Sequence, residues 1–283
     1  MSLPHLPGRG PSTPLRRAAN LSALAIVMSA AASTAAAQQP GPEGSGGPGG
    51  PGGSSWGLGL GVFSAQKPYT GSDRETKVLP LLQFENQYVK VGALGIEVKL
   101  PGLDLGDRQR LDFSIVGRMN LDGAGYEADD APILAGMAER KGGFWTGAQV
   151  QWRNEMANVS AEWLGDVAGK SKGQRFSLSV EKPFRLGPNL MISPRLSAAW
   201  LDKKYVDYYF GVRSSEAMAG RPAYVGKAGV VPGVGVRAIY RLDSHHSLMF
   251  DARVAGLAKS MKDSPLVDTS TENRVLVGYL YRF

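Results

Sequence analysis

The sequence predicts an all-β chain that closes into an antiparallel transmembrane β-barrel of about 12 strands. Three observations carry the prediction. Apolar residues alternate with polar or small ones over strand-length segments, several segments are long for a soluble sheet, and the chain ends on an unbroken apolar face closing at a terminal Phe.

The N-terminus is set aside first. Arg9, Arg16 and Arg17 precede any acidic residue, Leu21 to Met28 is a short apolar run, and a small-residue stretch ends at Ala35-Ala36-Ala37. That order is the order of a secretory signal peptide, so residues 1–37 read as a cleaved leader. A spanning helix would need ~20 consecutive apolar residues, and this run dilutes into Ala, Ser and Thr. The Arg16-Arg17 pair alone is weak evidence for twin-arginine export. Residues 38–55 are dominated by Gly and Pro with no recurring apolar group, so they read as a disordered tether. The Gly spacing is too irregular for collagen. Residues 56–283 are left for the barrel.

The formal charge of +7 is partly a property of the leader, which holds three of the 32 basic residues and none of the 25 acidic ones. No Lys- or Arg-rich block marks a nucleic-acid surface. The chain has no Cys, which excludes disulfides, thiolate metal sites, a Cys nucleophile and a lipid-modified N-terminal Cys.

Strands are expected at 56–65, 76–85, 87–100 (or two shorter ones there), 109–119, 143–154, 157–168, 173–185, 188–202, 204–212, 226–241, 246–258 and 272–283. Phe176, Leu178 and Val180 alternate with Arg175, Ser177, Ser179 and Glu181; Leu248, Phe250, Ala252 and Val254 with Asp251 and Arg253. Ala148, Val150 and Trp152 oppose Gln149, Gln151 and Arg153; Leu111, Phe113 and Ile115 oppose Asp112, Ser114 and Arg118. Segments longer than ten residues suit membrane strands of ~9–11 better than sandwich strands of ~5–6. Trp56, Phe144, Trp145, Trp163, Trp200 and Tyr240 gather near segment ends, as interfacial girdles require. Pro194 and Pro232 fall inside expected strands, where a missing N–H should bring a bulge or local irregularity. Val275, Val277, Tyr279, Tyr281 and Phe283 form the terminal apolar face, which resembles the signal read by the barrel-assembly machinery.

Asn120 to Gly142 does not fit the pattern. Counting strands alternately from a periplasmic N-terminus puts it on the periplasmic side. Its core, with Pro132, Ile133, Leu134 and Met137, has helical character between acidic and basic flanks. An exposed apolar patch rimmed by charge makes these four residues a candidate partner-docking surface. The alternative is a plug folded into the lumen.

Four further motifs stand outside this logic: Tyr69-Thr70-Gly71-Ser72-Asp73, Asp207-Tyr208-Tyr209-Phe210-Gly211-Val212, Asp263-Ser264-Pro265-Leu266-Val267 and the terminal Gly278 to Phe283. In this order and spacing, across nearly all of 56–283, the chain resembles the MltA-interacting protein (MipA/OmpV) family of outer-membrane proteins. Phe210 departs from it, standing where the family more often has a further Tyr. The resemblance implies an outer-membrane scaffold that brings together a lytic transglycosylase and a penicillin-binding protein in the periplasm. Other relatives are porin-like proteins of the osmotic response, or adhesins. It supplies no catalytic motif.

Nor do the residues supply one. His246 and Ser247 point to opposite faces of a strand, and His245-His246 lacks further metal ligands. Glu127, Asp129 and Asp130 lack the spacing of a calcium loop. Gly57-Leu58-Gly59-Leu60-Gly61 is not followed by a helix pattern and suits a crowded barrel wall. Asp112, Arg118, Arg153, Glu162, Asp166, Arg175, Glu181, Arg195, Arg237, Asp251, Arg253 and Arg274 all fall on the lumen parity. They read as an ion-pair network filling the lumen, or as the lining of a narrow, anion-preferring pore. The expectation is a non-enzymatic scaffold without cofactor or metal in the lipid of a Gram-negative outer membrane. A small-solute pore is the alternative, and short predicted outer loops weaken an adhesin.

Overall fold

A computed structural model describes residues 53–93, 95–119 and 125–283. The expected leader and nearly all of the tether lie outside them. The strands are β1 (Ser55–Gln66), β2 (Arg74–Glu85), β3 (Val89–Gly92), β4 (Gly95–Lys99), β5 (Leu103–Gly106), β6 (Gln109–Met119), β7 (Phe144–Arg153), β8 (Asn158–Asp166), β9 (Gln174–Glu181), β10 (Phe184–Leu186), β11 (Leu190–Leu201), β12 (Gly229–Arg241), β13 (His246–Gly256) and β14 (Thr271–Arg282). Two helices, α1 (Lys203–Phe210) and α2 (Lys259–Lys262), lie in connections.

Twelve of these strands form a closed antiparallel barrel, because β9 also pairs β11 and β14 returns to β1. The remaining two, β5 and β10, lengthen the ladder beside β6 and β11. Closure gives every barrel strand a neighbouring strand on both sides over at least part of its length, and lipid demands such pairing of a backbone. No helix among the described residues is long and apolar enough to cross a membrane.

The expected parity holds. Leu58, Leu60 and Val62 of β1 point outward, and their cross-strand partners Tyr281, Tyr279 and Val277 share that outer face. Gly57, Gly59 and Gly61 point inward; a Cβ on Gly59 would sit 1.9 Å from the Tyr279 carbonyl oxygen, so only glycine fits there. Trp163, Phe176 and Trp200 lie in one register row on the exposed face, near the end away from the termini. Trp145 is a correction: it faces inward and is buried against Tyr205 instead of joining a girdle.

Two other corrections change the topology. Segment 204–212 is helical over Lys203–Phe210 rather than a strand. Asp202 caps it by accepting the Tyr205 N–H at 2.8 Å, and Tyr205, Val206, Tyr209 and Phe210 are all buried. Segment 87–100 divides into the β3–β4 hairpin, so the number of barrel strands stays at twelve while its phase shifts. The connection between β6 and β7 therefore lies at the end of the barrel opposite the start of β1 and the end of β14, not the end beside them. The long connections 202–228 and 257–270 share that end, so the outer loops are longer than the sequence predicted. Short turns sit at the other end. Short periplasmic turns and long outer loops are the asymmetry of outer-membrane barrels, which makes the loop-bearing end the outer one.

The prolines sit in regular register. The Pro194 carbonyl accepts from Lys182 N at 3.1 Å, and its missing N–H faces the same neighbour, where the wall breaks between β9 and β10. That is the irregularity the sequence required. Pro232 pairs Ala198 without a bulge, and pairing of β12 with β13 starts one residue later.

Candidate functional site

The outer mouth carries a cap built from four connections. Residues 67–73, 125–142, 202–228 and 257–270 bury one cluster, with Leu134, Val206 and Leu266 fully enclosed and Tyr209 nearly so. The cluster rests on the inward residues Val116, Trp145, Leu164, Leu201, Val231 and Ala255 of six strands.

Three of the sequence motifs meet inside it. The Tyr69 hydroxyl donates to the Tyr209 carbonyl at 3.2 Å, and its ring packs on Tyr126 and Phe210. Ser264 Oγ donates to the Phe210 carbonyl at 2.7 Å and accepts from Leu266 N at 3.2 Å. Thr70 N donates to the Leu266 carbonyl at 2.9 Å, and Tyr69 bridges Val267. Gly71 turns with φ +74° and brings its loop against Pro132. Ser72 Oγ closes that loop on the Lys67 carbonyl. Gly211 ends α1 where a Cβ would strike the Asp207 carbonyl oxygen at 2.2 Å. Tyr208 accepts from Lys141 N at 3.0 Å, while Pro265 lies half-buried between its motif's anchors. Asp73 stays at the surface.

A profile of the family MltA-interacting protein MipA matches residues 58–283. The chain belongs to this family. It is 26% identical to the putative outer membrane protein YiaT of Escherichia coli (strain K12), over 81% of this chain and 92% of that one. It is 23% identical to the outer membrane protein OmpV of Vibrio cholerae, over 79% and 84%. It is 23% identical to the MltA-interacting protein of Escherichia coli (strain K12), over 80% and 89%. It is an outer-membrane protein.

In this MipA-family chain a buried ion pair of the cap was not legible in the sequence. Arg140, on the basic flank of the connection between β6 and β7, is buried, and its Nη2 donates to both carboxylate oxygens of Glu216 at 2.9 and 2.8 Å. Glu216 also accepts from Ala138 N and Arg213 N, and Arg140 donates to the Tyr208 carbonyl. Burial alone would raise the Glu216 carboxyl, but those hydrogen bonds outweigh it and hold it below the ordinary carboxylate range. Arg221, also buried, binds the carbonyls of Ile133, Ala135 and Glu216. Burial pushes the Tyr126 phenol up to about 12, against the pull of Arg140. Burial and the neighbouring Tyr126, Tyr205 and Tyr209 push Tyr69 well above its ordinary value.

These contacts correct the docking reading. Pro132 to Leu134 makes one 3-10 turn, Leu134 and Met137 are buried within the cap, and Ile133 packs against it. The four residues do not form an exposed patch, and they sit at the end away from the periplasm.

Below the cap the lumen wall is charged. Glu162 lies between Arg118 at 3.0 Å and Arg175 at 3.5 Å. Arg195 joins Glu181 to Asp251, which also meets Arg237. Asp112 binds Arg110 and Arg153. At the mouth, between the cap and the inner faces of β1 and β2, lies a cavity of about 380 Å³.

Proposed function

We propose that this barrel is a non-enzymatic scaffold for peptidoglycan-remodelling enzymes, with a lytic transglycosylase and a penicillin-binding protein as partners. The observation that carries the reading is the cap: a mouth covered by four interlocked connections suits a barrel that holds partners better than one that conducts. The name of one relative, MltA-interacting protein, supports the same reading. Murein enzymes work in the periplasm, so docking falls to the end that bears the termini. The β5–β6 hairpin, which carries the ladder past its neighbours there, is the leading surface. Crosslinking of intact envelopes followed by affinity purification tests this. Recovery of a murein enzyme through residues 100–108, with no unitary conductance in planar bilayers, is the expected result. Conductance without any murein partner refutes it.

The arginine-bearing lumen wall and the cavity at the mouth favour a second reading, a narrow pore for small anions. The same bilayer recording decides between the two.

A further inference from the structure

The barrel wall is not of even height. Ten of its twelve strands run for 8 to 13 residues, whereas β3 and β4 have four and five. At ~3.3 Å per residue and a tilt of ~35–45°, five residues raise the wall by only about 12 Å, against an apolar band of ~25 Å. β2 shows the consequence directly. All twelve of its residues pair with β1, yet on the other side its ladder begins only at Phe84, pairing Val91. Among the described residues, 74–83 have no strand on that flank. Among the described residues the wall thus has a notch beside the outer half of β2, while β4 reaches Arg118 near the top of β6.

The notch spans a change in surface chemistry. Going up the outward face of β2, Leu82 and Val78 are exposed apolar groups, and Thr76 and Arg74 follow. Arg74 and Thr76 both bind Ser64 across the strand pair, which forms a polar band. The switch from Val78 to Thr76 marks the boundary between hydrocarbon and headgroups. A free strand edge in hydrocarbon leaves N–H and C=O groups unsatisfied, so this edge needs polar atoms beside it.

Behind the β2 flank lies the 380 Å³ cavity, within the size range of small-molecule sites. On the strands Phe63, Ala65 and Leu79 give it apolar surface, with Lys77 and Glu75 of β2 directly across from Phe63 and Ala65. The charges of its lining balance. Lys67 lies 3.0 Å from Asp130 and 3.8 Å from Glu75, which also pairs Lys77, and Lys141 meets Glu139 at 3.3 Å. A head of one sign would break such pairs without replacing them. A head bearing both signs can exchange partners with them.

We propose that the notch admits a single-chain zwitterionic amphiphile from the outer leaflet, its chain against Phe63, Ala65 and Leu79 and its head among the paired lysines and carboxylates. This site is independent of any periplasmic partner.

The full chain in liposomes, with a lysophosphatidylethanolamine carrying a diazirine at its chain end, provides the test. After illumination, adducts are expected on Phe63, Ala65 or Leu79, competed away by the unlabelled lipid. Leu79→Trp, which fills the apolar side, is expected to cut them by at least about tenfold. Leu82→Trp, facing lipid, is expected to leave them unchanged. Adducts confined to outward Val62 and Val78, or labelling insensitive to competitor, overturn the site. A fatty acid of equal chain length labelling the cavity as strongly overturns the head-group assignment. Should Leu79→Trp fail to fold by heat-modifiable mobility, competition on the unaltered chain decides the matter.

Discussion

Replacing Glu216 with Ala removes a carboxylate that accepts four hydrogen bonds: two from Arg140 and one each from Ala138 N and Arg213 N. The Arg140 guanidinium is only 2% exposed, so the variant strands a cation away from water. Breaking a buried pair in this way costs about 3–5 kcal/mol, more than deleting both partners would. Loss of that energy from the cap alone raises the fraction of opened caps by roughly 150- to 5,000-fold. Trypsin reads this directly, because Arg140 precedes exposed Lys141 and the bond between them is reachable only when the cap lifts. Barrel integrity is followed in parallel by heat-modifiable mobility, which is expected to change little. The double variant Arg140→Met/Glu216→Leu should recover much of the protection. Acid mimics the single variant: the Glu216 carboxyl lies below its ordinary value, so its contribution is complete above about pH 4.5 and fades as pH falls through the lowered value. If trypsin cleaves Glu216→Ala after Arg140 no faster than the unaltered chain, the pair does not hold the cap.

Four other outcomes follow from the same structure. Replacing 124–140 with a short Gly-Ser linker is expected to raise conductance in bilayers while murein partners are retained; unchanged conductance would mean those residues do not close the mouth. The Tyr126 phenol, raised to about 12, should remain neutral when exposed tyrosines ionise, so its stabilisation persists below pH 10 and is lost as pH rises toward 12; absorbance near 295 nm that rises in one step at ordinary phenol values would contradict this. Phe250→Arg, on the lipid face of β13, should cost about 2–4 kcal/mol in a refolding titration if it lies near the midplane, while Met249→Arg on the lumen face is milder. Deleting Phe283 should lower the yield of folded barrel in outer-membrane fractions, and an unchanged yield would remove the terminal face as an assembly signal.

The wall of this protein was largely legible in its sequence and the cap was not. Period-two alternation is a local property, so Phe176, Leu178 and Val180 declare their face without help from the rest of the chain. Lys203 to Phe210 misleads because Tyr205, Val206, Tyr209 and Phe210 are types that favour strands. Packing under the cap and the Asp202 side chain decide for a helix. Gly92 and Gly95 were the available sign that 87–100 turns back on itself, and missing that turn inverted the side assigned to 120–142. Arg140 and Glu216 meet across 76 positions of sequence, and no periodicity connects them. The motif residues Tyr69, Tyr209 and Ser264 were visible as motifs, but their meeting point was not.

The seam between β1 and β14 sets the order of events when the chain folds. It joins Gly57 to Arg282 and Gln66 to Asn273, residues more than 200 positions apart, across ten consecutive pairs. Contacts that distant return no energy until almost the whole chain has been gathered, so closure belongs to the slow, non-local class of folding reactions. The cap depends on the same event, since Tyr69 and Thr70 near the start of the barrel must find Val267 and Leu266 near its end. Until then β1 and β14 are open edges lined with Leu, Val and Tyr, the kind of template on which strands of other molecules assemble. Newly exported chains therefore carry their greatest aggregation hazard just before the last strand arrives.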